Sequence, residues 1–148
     1  MNQTLLSEMA ELLESDAINY TVFLKWYCCA ADDVATVDDV MRKLLGPGTV
    51  VKQIKDCSLA QVEDEIAECL GYAGDEGDGP GPVTLGTHEY AILLDEIKVD
   101  VAEVCSCSRE IKSLRIAQGH PAYPVFWDFA YLFPGKEEHR LIVGSVSD

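Results

Sequence analysis

Val125 to Phe133 has β-type composition, Pro134-Gly135-Lys136-Glu137 makes a turn, and Arg140 to Val146 returns. An antiparallel hairpin at this end constrains the rest of the chain, because two strands need a further apolar layer to be stable. Six aromatic residues crowd between Tyr123 and Phe133. In a strand, Trp127, Phe129 and Tyr131 share one face, and Phe126, Asp128 and Ala130 share the other. Both faces are partly apolar. One is expected to pack on helices and the other to serve as a binding surface.

Helices are expected to supply that layer. Leu5, Leu6, Met9, Leu12 and Leu13 recur at helical spacing, with Glu8, Glu11 and Glu14 opposite and Asn2 or Thr4 as cap. Residues 16–30 carry Tyr20, Phe23, Leu24 and Tyr27 on one side and are apolar on most of the circumference, which reads as a central helix. Thr36, followed by Asp38 and Asp39, opens another with Val37, Val40, Met41, Leu44 and Leu45 as its apolar face. Gly46-Pro47-Gly48 ends it, and residues 49–55 read as a short strand.

Ser58 and Gln61 form a capping box for a helix lined by Leu59, Val62, Ile66, Cys69 and Leu70 and closed by Gly71. Thr87 caps a longer one through Tyr90, Leu93, Leu94, Ile97, Val101 and Val104. Ile97 to Val101 also alternates like a strand, but the longer pattern favours helix. Residues 109–117 either continue it or form a strand before Gly119. The fold class expected is α+β: a helical N-terminal half packed on a small antiparallel C-terminal sheet.

The 148 residues suit a single domain, 1–148, with a core of ordinary size. Residues 71–86 form an acidic Gly/Pro-rich loop, the one place where two subdomains could divide.

Net charge is −15, unevenly spread. Residues 42–55 hold four bases (Arg42, Lys43, Lys52, Lys55) and no acid, while residues 56–104 hold thirteen acids and one base. Such a field repels nucleic-acid phosphate and anionic lipid and attracts basic proteins. An acidic surface that only keeps the chain soluble is the alternative of comparable weight.

Six cysteines stand at 28, 29, 57, 69, 105 and 107. The N-terminal residues lack a basic-then-apolar leader pattern, so a cytoplasmic, reducing setting with free thiols is expected. No apolar run has membrane-spanning length. Cys105-x-Cys107 lacks the spacing of a zinc pair, and Asp75 to Gly79 lacks the alternating ligands of a calcium loop, so no metal or cofactor is expected. No nucleophile-elbow, zinc-protease or phosphate-loop motif is present. Asp128, between Trp127 and Phe129, is a candidate general acid with a histidine (His88, His120 or His139), but pairing with Arg115 or Arg140 is the better reading.

Three functional readings follow. The leading one is a non-catalytic inhibitor that occludes a basic, nucleic-acid-handling partner. By analogy of size and charge this would be a nucleic-acid mimic such as an anti-CRISPR or anti-restriction protein, or a toxin-immunity protein. Its partner-binding carboxylates are Glu63, Asp64, Glu68, Asp75, Glu76, Asp78, Glu96, Asp100 and Glu103. The second is an assembly protein or homodimer joined through the aromatic strand and Trp127. The third is a small-ligand domain or enzyme using Asp128.

Overall fold

The computed structural model describes residues 2–31, 36–74 and 78–147. The elements run α1 (Gln3–Glu14), β1 (Thr21–Ala30), α2 (Val37–Leu45), β2 (Val50–Asp56), α3 (Leu59–Leu70), the single turn α4 (Pro82–Leu85), α5 (His88–Ser106), β3 (Lys112–Gln118), β4 (Asp128–Pro134) and β5 (Glu138–Ser147). The five strands form one antiparallel sheet in the order β1-β5-β4-β3-β2. The β3-β4-β5 meander thus fills the space between β1 and β2, which hold the two edges.

Helices and strands are interleaved, so the expected division into a helical N-terminal half and a C-terminal sheet is corrected to an α+β fold with strands in both halves. The central helix expected over residues 16–30 is instead β1, ten residues paired throughout with β5. Val22, Leu24 and Trp26 point to one face of the sheet, and Phe23, Tyr27 and Cys29 to the other. Because both faces are covered, the strand is apolar on both sides and its two-residue period is hidden. Ile97 to Val101 is helical within α5, and residues 112–118 are strand.

The helix starts follow local chemistry. Asn2 caps α1, Thr36 caps α2 and Thr87 caps α5, each side chain accepting a first-turn backbone N–H. Ser58 and Gln61 close both halves of the capping box of α3.

Helices α1, α3 and α5 cover one face of the sheet. Met9, Leu13, Val62, Ile66, Ile97 and Val101 meet Val22, Trp26, Phe129, Tyr131, Phe133 and Ile142 there. The opposite face carries α2, whose Val40 and Met41 close over Leu114, Ala130, Leu132, Leu141 and Val143. The second face of β4, expected to be a binding surface, is therefore buried core.

Candidate protein-binding face

The acidic side chains occupy several environments. On α3, Glu63 is half-buried, and Asp64 and Glu68 are exposed. On α5, Glu96 and Glu103 are exposed. The two helices pack together, and Glu63 lies close enough to Cys105 to help push that thiol up, after burial itself. Glu63 and Asp64 thus stand on α3 and Glu96 and Glu103 on the neighbouring α5, where Glu96 and Val99 border a hollow beside Asn2 and Leu5 of α1. Asp95, Ile92 and Val99 join them on the exposed side of α5, with Ile92 43% and Val99 68% exposed.

The remaining expected carboxylates are elsewhere. Asp100 is half-buried and accepts the Asn2 backbone N–H at 2.6 Å, tying α5 to the start of α1. Asp78 is half-buried in the loop before α4. Asp75 and Glu76 lie outside the described residues. Glu68 faces a groove on the β4 side of α3, with Glu65, Tyr72, Arg115, Phe126, Trp127 and Asp128. This hollow of about 500 Å3 adjoins another of about 290 Å3 that shares Glu65, Arg115 and Asp128 and continues to Lys55 and Gln61.

The groove exists because β3 and β4 part company. Their ladder consists of Lys112 with Leu132 and Ser113 with Tyr131, and beyond it β3 stays with β2. Across the opening, Arg115 Nη1 stands 3.6 Å from Asp128 Oδ1. Asp128 therefore has the arginine partner that the better reading anticipated. Its proposed histidine is absent from both hollows that Asp128 lines. His120 instead takes part in a turn, its Nδ1 within hydrogen-bond distance of the Ala122 backbone.

Trp127 is half-buried. Its ring stacks on Phe129 at 5.9 Å, and its Nε1–H donates to the Tyr20 hydroxyl at 3.2 Å. β4 lies between β5 and β3 in the sheet, though before Tyr131 its β3 side opens on the groove.

One contact that sequence reasoning missed is Tyr131 donating its hydroxyl to Glu65. Burial, reinforced by this carboxylate, raises the Tyr131 phenol far above its ordinary value. Burial likewise pushes the Cys69 thiol up to about 12 and raises Cys57. Such thiols stay protonated and are poor nucleophiles at neutral pH. Among the described residues, no group of three or more His, Cys, Asp and Glu is placed to hold a metal ion, and no helix is long and apolar enough to cross a membrane.

The chain matches no protein-family model, no curated protein and no solved structure. The arrangement of its own residues is the ground for a functional reading.

Proposed function

We propose that this chain is a protein-binding module whose α3–α5 face docks on a basic surface of a nucleic-acid-handling protein and keeps phosphate away from it. The observation that carries the reading is where charge is left unneutralised. Ion pairs join Arg42 to Asp39, Lys112 to Asp56 and Glu110, Arg115 to Asp128, and Arg140 to Glu138. Among the described residues, none reaches Glu63, Asp64, Glu96 or Glu103. Fixed on two packed helices, these carboxylates present a negative field without the cost of ordering a flexible tail. The exposed Ile92 and Val99 offer apolar contact within it. The partner's Lys and Arg side chains would be drawn in electrostatically and then held by short-range contact.

The test is capture of partners from native lysate by the wild-type chain and by a variant carrying Glu63→Lys, Asp64→Lys, Glu96→Lys and Glu103→Lys. A control carries Glu8→Lys and Glu11→Lys on α1. The expected result is a basic nucleic-acid-binding protein retained by wild type and control, released by high salt and by duplex DNA, and lost from the α3–α5 variant. Equal retention by that variant, or indifference to DNA, would sink the reading.

A further inference from the structure

The two edges of the sheet are treated differently. On β1, Gln3 and Glu14 of α1 occupy the outer backbone groups: Gln3 bonds Leu24 C=O and Trp26 N–H, and Glu14 accepts Val22 N–H. These side chains close the edge against further strands. On β2, no hydrogen bond from the described residues reaches the outer edge. The Cys57 N–H bonds inward to Ile111 C=O, and the paired register puts Lys55 opposite Ser113 and Gln53 opposite Arg115. By strand alternation, Ile54 and Asp56 turn their N–H and C=O groups outward. Ile54 and Val50 are 44% and 43% exposed.

We propose that this open edge pairs with a second copy of the same chain, antiparallel about a twofold axis through Ile54. Along the regular stretch Gln53 to Asp56, that register sets Ile54 against Ile54 of the second copy and Lys55 against its Gln53; continued into the register shift between Val51 and Gln53, it brings Lys52 to its Asp56. The last pairing occurs twice by symmetry, so two opposite-charge pairs flank a central aliphatic contact. Neighbouring registers fare worse. An axis through Lys55 opposes two lysines, and one through Asp56 opposes two carboxylates. An axis through Gln53 sets Lys52 against Ile54 and Lys55 against Val51, with no ion pair.

The charges involved are accessible. Lys52 has no ion-pair partner among the described residues. Asp56 meets Lys112 through Oδ1 at 2.5 Å, yet its side chain remains 81% exposed. Lysines on an edge strand normally discourage pairing. Here they reject most registers and favour one. Most of the edge lies within residues 42–55, which hold four bases and no acid. A strand of this length gives a small interface, so the dimer is expected to have about micromolar affinity.

The experiment is sedimentation over a concentration series, with circular dichroism to verify folding. Wild type should shift from monomer to dimer as concentration rises. Lys52→Asp and Asp56→Lys should each weaken dimerisation by about tenfold or more, because each places like charges opposite one another. An equimolar mixture of these two variants should dimerise again. Positions 52 and 56 are both acidic in the first variant and both basic in the second, so opposite charges meet at both pairings of the mixed dimer. Ile54→Lys, at an exposed position, should be a folded monomer and has no rescuing mate. A wild type that stays monomeric, a mixture that does not recover, or a dimer indifferent to all three substitutions would overturn the proposal.

Discussion

The Gln3 side-chain Oε1 accepts the backbone N–H of Trp26 at 3.0 Å, while Gln3 Nε2 donates to Leu24 C=O at 3.0 Å. One amide of a helix thereby stands in for a neighbouring strand. It docks α1 and satisfies two backbone groups at the outer edge of β1. Gln3→Ala should cost about 1 kcal/mol, the usual net value for a lost intramolecular bond where water can partly replace it. Amide hydrogen exchange offers the sharper readout: protection should fall at Trp26, with residues on β5 unchanged. Unaltered protection at Trp26 would show that the edge is held by something other than Gln3.

Gly144 and Phe129 are directly opposed on β5 and β4, and the phenyl ring lies over the glycine. A methyl group added at Gly144 would stand 2.2 Å from the ring. Phe129 is buried between Trp127 and Tyr131 in an aromatic row, so it has little room to move. Gly144→Ala should therefore destabilise by about 1–3 kcal/mol through overpacking, measurable as a lower denaturant midpoint with unchanged slope. The smaller side chain in Phe129→Leu should recover part of the loss in the double variant. Simple additivity of the two losses would argue against a direct clash.

These contacts also mark what the sequence makes legible. Caps and helical spacing identify α1, α2, α3 and α5 because each begins with a local side-chain bond and buries one stripe. The C-terminal hairpin is legible from its turn and its β-type composition. β1 is misread because Val22, Leu24 and Trp26 pack under one helical layer while Phe23 and Tyr27 pack under α2, a consequence of covering both sheet faces. Non-local geometry hides the groove too. Glu65 meets Tyr131 across 66 residues, and no local pattern brings them together. The contact of the Asn2 backbone with Asp100, 98 residues away, is hidden in the same manner.

The Arg115–Asp128 ion pair stands at the mouth of the groove. The Arg115 side chain is 69% exposed, and the closest approach is 3.6 Å. Solvent screening limits such a contact to between about 0 and 1 kcal/mol. Asp128→Asn should leave stability within that range and leave partner capture by the α3–α5 face intact. Loss of capture with an unchanged melting temperature would instead place the groove in the binding site.

Tyr131 is fully buried except for its hydroxyl contact with Glu65, and its phenol is raised above the ordinary value of 10.0 by burial first and by that carboxylate second. In the unfolded chain the phenol ionises near its ordinary value, while in the folded chain it stays protonated. The unfolded state therefore binds fewer protons as pH rises above about 10, and stability falls in that direction. Tyr131→Phe removes this contribution. At pH 7 the variant should lose about 1 kcal/mol, because the exposed Glu65 can regain water. Above pH 10 its stability should decline less steeply than that of wild type. A residual slope should persist from Tyr20, Tyr90 and Cys69, all raised chiefly by burial. Denaturant unfolding at pH 7, 10 and 11 reads both effects, and parallel declines in the two proteins would mean that Tyr131 ionises as readily folded as unfolded.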